Sequence, residues 1–240
     1  MNPFLKDKKA IVTGATRGIG RAIAERLARE GAAVAICGRS AEAVTEAVAE
    51  LARQTGGEIV GRAADVSDAA QVAEFFRFVD SRLGGVDILV NNAGVGLFAP
   101  VAEMTLEDWQ RTIGTNLNGA FYCSREALQR FRIRGGGWII NISSLAGKNP
   151  FASGAAYNAS KFGLNGFTEA MMLDHRYDNV RVSAILPGSV ETEFRRGASH
   201  QQAGWKIAPE DIAEIVISIL RMPERTLISH VEVRPSKPRK

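Results

Sequence analysis

A tyrosine and a lysine four residues apart are well suited to proton transfer. Tyr157 and Lys161 begin and end the run YNASK. On a helix, residues i and i+4 share one face, so the ammonium would lie beside the phenol. A free tyrosine ionises near pH ~10, but a cation within ~4–6 Å lowers that pKa toward neutral pH. The spacing therefore indicates a general acid or base, and the alternative is a solvated helix face with an extended lysine.

A glycine-rich turn near the start of the chain is typical of a phosphate-binding loop. It reads TGATRGIG over residues 13–20 and follows a short apolar run. Glycines allow a tight turn and close backbone approach to a pyrophosphate, while a helix N-terminus presents free N–H groups to the anion. The spacing G-x-x-x-G-x-G differs from the better-known G-x-G-x-x-G, and the alternative is a chance glycine cluster. Its place between the first predicted strand and helix favours dinucleotide binding.

An arginine follows the second predicted strand and indicates which dinucleotide binds. An NAD site usually has an acidic residue there for the ribose 2′-hydroxyl, whereas this chain has Arg39 in the run GRS. A guanidinium can bind a 2′-phosphate through two hydrogen bonds, and Arg17 of the loop could reach the same group. We predict NADP(H) as the cofactor in preference to NAD(H). The alternative is that both arginines are ordinary surface charges.

Short apolar runs alternate with amphipathic segments along the whole chain. Such alternation predicts an α/β Rossmann-type fold, a doubly wound parallel sheet of about seven strands with helices on both faces. In such sheets ligands bind beyond the carboxyl ends of the strands. The predicted strands are Lys9–Thr13, Ala33–Cys37, Glu58–Ala64, Val86–Val90, Trp138–Ile142, Val180–Leu186 and Leu227–Val233. The predicted helices are Gly18–Glu30, Ala41–Arg53, Ala69–Leu83, Leu106–Phe131, Ser153–Tyr177 and Pro209–Arg221.

Composition predicts one cytoplasmic domain covering residues 1–240. The 45% hydrophobic content suits a single core, and neither a signal peptide nor a run of ~20 apolar residues is evident. A net charge of +4 with well-mixed signs argues against a nucleic-acid partner. Cys37 and Cys123 read as buried free thiols. The three histidines lack metal-ligand spacing, so no metal site is expected.

Several motifs in a fixed order resemble the classical short-chain dehydrogenase/reductase family over nearly the whole chain. They are the glycine loop at 13–20, DV at 65–66, NNAG at 91–94, TNL at 115–117, Ser144, the YNASK run, PG at 187–188 and Thr192. Each motif alone is weak, but their order leaves little room for chance. The resemblance implies an oxidoreductase that transfers hydride between NADP(H) and a carbonyl or alcohol.

The resemblance also implies roles for individual residues. Asp65 and Val66 would bind the adenine, and the NNAG run would form the floor under the adenosine ribose, although such residues also make a good turn. The family's serine lies thirteen residues before the tyrosine, which selects Ser144 and leaves Ser143 as a turn residue. The predicted cofactor-binding residues are Gly14, Thr16, Arg17, Gly18, Ile19, Gly20, Arg39, Asp65, Val66, Asn92, Ala93, Gly94, Tyr157, Lys161, Pro187, Gly188, Val190 and Thr192.

The same resemblance implies a catalytic set of Asn116, Ser144, Tyr157 and Lys161. Ser144 and Tyr157 would donate hydrogen bonds to the carbonyl oxygen, and Tyr157 would also act as general acid. Lys161 would lower the pKa of Tyr157 and hold the nicotinamide ribose. Asn116 would introduce a local kink in its long helix and order a water that resupplies the proton.

The sequence specifies the substrate and the partners of the protein less well than its cofactor and catalytic residues. The predicted lid over residues 193–207 is short, and Phe98, Ala146 and Phe151 could form apolar walls. The overall sequence pattern of the chain resembles that of 3-oxoacyl-[acyl-carrier-protein] reductases. The alternatives are a general carbonyl, sugar or steroid-type alcohol dehydrogenase and a catalytically silent dinucleotide sensor. The C-terminal run lacks the family's Asp-Gly-Gly, so a homodimer is as plausible as a homotetramer, paired through the predicted helices at 106–131 and 153–177.

Overall fold

The computed structural model describes residues 4–192 and 204–238, in which strands and helices alternate. The strands are β1 (Lys9–Thr13), β2 (Ala33–Gly38), β3 (Ile59–Ala63), β4 (Ile88–Asn91), β5 (Gly137–Ile142), β6 (Val180–Pro187) and β7 (His230–Val233). The helices are α1 (Gly18–Arg29), α2 (Ala41–Thr55), α3 (Ala69–Leu83), α4 (Leu106–Ile113), α5 (Gly119–Arg134), α6 (Ala155–His175) and α7 (Pro209–Leu220).

The seven strands form one sheet in the order β3-β2-β1-β4-β5-β6-β7, and every neighbouring pair is parallel. The chain winds outward in one direction from β1 to β3 and then returns to start the other half at β4. The crevice at this reversal, beyond the carboxyl ends of β1 and β4, is where such sheets bind ligands. The predicted doubly wound Rossmann-type fold is confirmed.

The core has two layers because the sheet is buried on both faces. On β1, Ala10 and Val12 pack with apolar residues of α1, α2 and α7, whereas Ile11 points to the opposite layer with α3, α5 and α6. All three side chains are fully buried. Burial on both faces explains why these strands are almost continuously apolar. The sheet therefore provides a rigid platform whose carboxyl edge carries the loops described below.

The long helix predicted over 106–131 is interrupted. It consists of α4, one π-helical turn at Gly114–Asn118, and α5, which continues to Arg134. Gly135 follows the end of α5, and its φ of +84° lies in the left-handed region that glycine adopts without strain. Turns of the π type are frequent at functional sites, and this one contains Asn116.

Several other predicted boundaries move inward by one to three residues. Helix α6 begins at Ala155 because Ser153 has a φ of +61°, which a helix cannot include. Strand β7 spans only His230–Val233 of the predicted 227–233. Residues 193–203 of the predicted lid lie outside the described residues. Within the described part of the chain, none of the helices has the length and apolar character needed to cross a bilayer.

Candidate active site

The glycine loop turns tightly against the end of β4, and side chains are excluded where it does so. Gly14 has a φ of +63°, and a Cβ there would lie 2.8 Å from the Ala93 Cα atom. A Cβ on Gly20 would lie 2.5 Å from the Gly14 carbonyl oxygen. The first turn of α1 can therefore pack closely on the sheet and direct its N–H groups outward, as a phosphate-binding loop requires.

Asn92 holds this loop in place. Its side-chain amide donates to the carbonyls of Thr13 and Gly14, each at 3.0 Å. The Thr13 hydroxyl accepts from the backbone N–H groups of Asn92 and Ala93, also at 3.0 Å. Since the Asn92 amide nitrogen is occupied by the loop backbone, this side chain fixes the shape of the glycine loop. Gly94 lies close to Asn116: a Cβ atom added to this glycine would be 3.4 Å from the Asn116 side-chain oxygen.

A positively charged cleft of about 690 Å³ lies beside the loop, between α1 and α2. Arg39 is exposed at the end of β2, and Ser40 caps α2 by accepting a hydrogen bond from the Ala43 N–H at 3.2 Å. Arg21 forms an ion pair with Glu50 at 2.5 Å. The cleft therefore combines guanidinium groups with a helix N-terminus, a donor set that fits a phosphate. Its lining consists of Thr16, Arg17, Arg21, Arg39, Ser40, Ala43, Glu46, Ala47 and Glu50.

Asp65 and Val66 lie just after β3. One Asp65 carboxylate oxygen accepts hydrogen bonds from the Ser67 N–H at 2.9 Å and the Ser67 hydroxyl at 2.7 Å. Val66 is buried against Gly119, where a Cβ would come within 2.8 Å of a Val66 methyl group. The structure thus fixes the orientation of the Asp65 carboxylate and uses the Val66 side chain for packing.

The segment after β6 lies over the glycine loop. The Gly188 N–H donates to the Val233 carbonyl at 2.8 Å, and Val190 forms a parallel bridge with Ile207. A Cβ on Gly18 would contact the Thr192 methyl group at 3.3 Å. The segment just before the predicted lid is therefore joined to the last residue of the lid, beside the predicted cofactor site.

Tyr157 and Ser144 meet at the centre of the carboxyl edge. Their hydroxyl groups are hydrogen-bonded, and the Ser144 oxygen also accepts from the Ala146 N–H at 3.1 Å. Ser143 instead turns toward α6, where its hydroxyl donates to the Lys161 carbonyl at 3.5 Å. The structure therefore brings Ser144 to the tyrosine and Ser143 to the helix backbone.

Burial shifts the pKa values of Tyr157 and Lys161 in opposite directions. It raises the pKa of Tyr157 above 10.0, although the Ser144 hydrogen bond partly offsets the rise. It lowers the pKa of Lys161 from 10.5 to about 8. In the protein alone, burial therefore outweighs any lowering of the Tyr157 pKa by Lys161, because burial favours the neutral form of each group. The lowering of the Tyr157 pKa by Lys161 stays a prediction.

Lys161 is a buried residue, 4% exposed, and its ammonium faces the Tyr157 ring. It donates to the Ile142 carbonyl at 2.9 Å and is 5.8 Å from the centroid of the Tyr157 ring. As predicted from their spacing, the two residues share a face of α6. The ammonium is close enough to stabilise negative charge that forms on the phenol.

Asn116 joins the π-helical turn to two other segments. Its amide nitrogen donates to the Val95 carbonyl at 2.9 Å and the Ser160 hydroxyl at 3.0 Å, while its oxygen accepts from the Val95 N–H at 2.8 Å. Ser160 in turn donates to the Tyr157 carbonyl at 2.8 Å. The side chain is therefore fully occupied in holding the loop after β4 and the helix that carries the tyrosine.

Sequence reasoning missed several residues that shape this site. Ser160 lies inside the quoted run, and its pairing with Asn116 crosses 44 positions, so no local signal could reveal it. Asn158 and Asn165 donate to the carbonyls of Phe151 and Gly147, each at 3.0 Å, and hold the loop that contains Ser144. Arg21 could have been found, because it lies four residues after Arg17 near the start of a helix.

Comparison with known proteins identifies this arrangement. The family model described as short chain dehydrogenase matches residues 8–203. The chain belongs to the short chain dehydrogenase family. A metagenomic short-chain oxidoreductase solved in complex with NADP is 39% identical, with a TM-score of 0.85 over 98% of this chain and 99% of that one.

Two curated relatives of the dehydrogenase are named for different substrates. A putative ketoacyl reductase of Streptomyces coelicolor is 38% identical over 205 residues, covering 84% of this chain and 78% of the relative. A 3alpha-hydroxysteroid dehydrogenase of Mediterraneibacter gnavus is 38% identical over 192 residues, covering 80% of this chain and 77% of the relative. The dehydrogenase is thus an oxidoreductase, and these names leave its substrate open.

Proposed function

We propose that this short chain dehydrogenase uses NADP(H) to interconvert a carbonyl compound and its alcohol. The observation that carries the proposal is the hydrogen bond between the Ser144 and Tyr157 hydroxyls, with the buried Lys161 ammonium beneath them. This group lies at the same sheet edge as the glycine loop. A dinucleotide sensor has no need for a buried proton donor there, which argues against the silent alternative.

The protein's own residues would polarise and protonate the carbonyl oxygen. When bound, the reduced nicotinamide supplies the hydride that the carbonyl carbon accepts. Negative charge then builds on the oxygen, where the Ser144 and Tyr157 hydroxyls would donate hydrogen bonds. Tyr157 transfers its proton to this oxygen, and the Lys161 ammonium stabilises the resulting phenolate.

Lys161 and Asn116 would complete proton delivery. The buried Lys161 ammonium can pass a proton toward Tyr157 because burial has already lowered its pKa to about 8. We expect the π-helical turn around Asn116 to order the water that returns a proton to this lysine, as the family resemblance implies. Lys161 would also bind the nicotinamide ribose.

The preference for NADP(H) over NAD(H) is proposed from the cleft between α1 and α2. Arg17, Arg39 and Ser40 line it and could bind a 2′-phosphate, and of the two carboxylates in the lining, Glu46 and Glu50, the second is paired with Arg21. The NADP in the metagenomic relative supports the same choice. Gly14, Asn92, Thr192 and the backbone of 187–190 would hold the remainder of the dinucleotide.

Replacing Arg39 by aspartate should reverse this preference. Charge-assisted hydrogen bonds contribute about 1.5–3 kcal/mol, so the ratio of kcat/KM for NADPH to that for NADH should fall about 10- to 100-fold. The measurement is initial rate against concentration for both cofactors. Arg53→Asp, at an exposed position on α2, is the control for added negative charge. An unchanged ratio in Arg39→Asp, or a wild-type preference for NADH, would exclude this role.

A ketone or a 3-oxoacyl thioester is the proposed carbonyl substrate. The ketoacyl reductase name of one relative supports the thioester, and the steroid dehydrogenase name of another supports a ring ketone. The test is NADPH oxidation across ketones, 3-oxoacyl thioesters, diketones and sugars. Failure of every compound, with NADPH binding intact, would favour the dinucleotide sensor instead.

A homo-oligomer is proposed from apolar residues left exposed on α6. Phe162 and Leu173 are 46% and 55% exposed and lie on one face with Gly166, around which there is open space. Phe121 of α5 is 46% exposed nearby, with its ring 6.0 Å from that of Phe167. Such a patch is typical of an interface.

We expect sedimentation to give a dimer or tetramer for the wild type and a monomer for the double variant Phe121→Glu, Phe162→Glu. Charges placed in an apolar interface are costly unless they are paired. Gln54→Glu, at an exposed position of α2 outside these helices, is the control for added negative charge. A monomeric wild type would refute the proposed oligomer.

Residues 1–240 are further inferred to form one cytoplasmic domain, in keeping with the buried free thiols Cys37 and Cys123.

A further inference from the structure

Two phenylalanine rings stand beside the Tyr157 ring and form an aromatic wall, which consists of Phe98, Phe151 and Tyr157. The Phe98 and Phe151 centroids lie 5.7 and 6.3 Å from that of Tyr157 and 5.5 Å from each other. The planes are tilted or perpendicular, the geometry that aromatic pairs prefer. The wall therefore flanks the tyrosine ring whose hydroxyl a carbonyl oxygen would approach.

The backbone of two loops holds this wall in place. Phe98 follows β4, Phe151 lies between β5 and α6, and a parallel bridge between Ala99 and Gly154 joins the two loops. The Phe151 ring lies across Gly154, where a Cβ would come within 2.6 Å of ring carbons. The Phe151 carbonyl accepts from the Asn158 amide at 3.0 Å. The rings are consequently positioned before any substrate arrives.

Substantial apolar area remains uncovered on the wall. Phe98 is 36% exposed and Phe151 is 40% exposed, although both are large rings in contact with a third. Covering such rings is favourable in proportion to the apolar area removed from water. The apolar chain of an acyclic acyl thioester could also cover these rings but would lose conformational freedom in doing so. A flat ring attached near the carbonyl is already rigid and could pack edge-to-face or offset against both phenylalanines.

We propose that the carbonyl substrate carries an aryl or fused-ring group next to its carbonyl, and that Phe98 and Phe151 select this group. The inference rests on the carbonyl reductase function proposed above and specifies its substrate class. It favours ring-bearing ketones over acyclic 3-oxoacyl thioesters. Phe98 and Phe151 act here as specificity residues, and the proton transfer still belongs to Tyr157.

The test compares acetophenone with cyclohexyl methyl ketone, which has similar size but no π system. The kcat/KM ratio of these two ketones is measured for the wild type, Phe98→Leu and Phe151→Leu, because comparing variants cancels the difference in intrinsic reactivity. Leucine keeps apolar bulk and removes the ring. Each substitution should lower the ratio about 2- to 10-fold, as expected for loss of an aromatic pair.

Direct binding gives a second readout. Calorimetric Kd values for 1-phenylethanol, measured in the presence of NADP, should weaken in both variants more than those for 1-cyclohexylethanol. Phe4→Leu is the matched control, since Phe4 is 38% exposed and its ring contacts the Arg221 guanidinium instead. Its ratio should equal that of the wild type.

The outcomes separate the two proposals. Reduction of several carbonyls with the same ketone ratio in wild type, Phe98→Leu and Phe151→Leu would overturn the aryl inference and leave the carbonyl reductase function standing. A higher kcat/KM for acetoacetyl-N-acetylcysteamine than for every ring ketone would overturn it as well. If the wild type reduces no carbonyl at all, the proposed function fails and the inference fails with it.

Discussion

Replacing Tyr157 by phenylalanine should lower kcat for carbonyl reduction by about 10²- to 10⁴-fold, the contribution typical of a positioned proton donor. The substitution removes one oxygen atom and keeps the ring contacts with Phe98 and Phe151. NADPH affinity should therefore stay nearly unchanged. The measurements are single-turnover NADPH oxidation and the Kd for NADPH from fluorescence titration.

Tyr122→Phe is the matched control for this experiment. Tyr122 is half-buried on α5 and contacts the Phe121 ring at 5.7 Å, so its hydroxyl has no place in the proposed chemistry. Its kcat should equal that of the wild type. Turnover of Tyr157→Phe close to the wild-type rate would show that another group delivers the proton. Loss of NADPH binding would show instead that the tyrosine mainly supports the cofactor.

Replacing Lys161 by methionine should impair both catalysis and cofactor affinity. Methionine keeps an unbranched side chain only one atom shorter, but it removes the charge that would stabilise the Tyr157 phenolate and the donor that holds the Ile142 carbonyl. We expect a decrease of about 10²-fold or more in kcat, and a weaker NADPH Kd. A variant that loses kcat alone would refute the ribose-binding role.

The free energy of unfolding should respond to pH differently in the wild type and in Lys161→Met. Burial lowers the pKa of Lys161 from 10.5 to about 8, so between these values the unfolded wild-type chain binds more protons than the folded protein. Its free energy of unfolding should consequently rise with pH relative to that of Lys161→Met, by about 3 kcal/mol across this interval. Below pH 8 the difference should be constant.

Urea unfolding of both proteins at several pH values across that interval measures the effect. Lys6→Met removes one positive charge from an exposed position and should give a curve parallel to that of the wild type. Parallel curves for wild type and Lys161→Met would mean that the folded protein accommodates the Lys161 charge as well as water does.

Local patterns were enough to predict the architecture and the kinds of residue at the site. The alternation of short apolar runs with amphipathic segments predicted the strands because a buried parallel strand must be apolar on both faces, as Ala10, Ile11 and Val12 are. The glycine loop and the Tyr157–Lys161 spacing were visible because turn geometry and helix periodicity act over a few residues.

Packing between distant segments supplied what those patterns could not. Asn116 reaches Val95 and Ser160 across 21 and 44 positions, and its helix contains a π-helical turn where the periodicity predicted a continuous helix. The opposite pKa shifts of Tyr157 and Lys161 follow from burial, which depends on the surrounding chain more than on their spacing. The aromatic wall likewise exists only because two separate loops meet at Ala99 and Gly154.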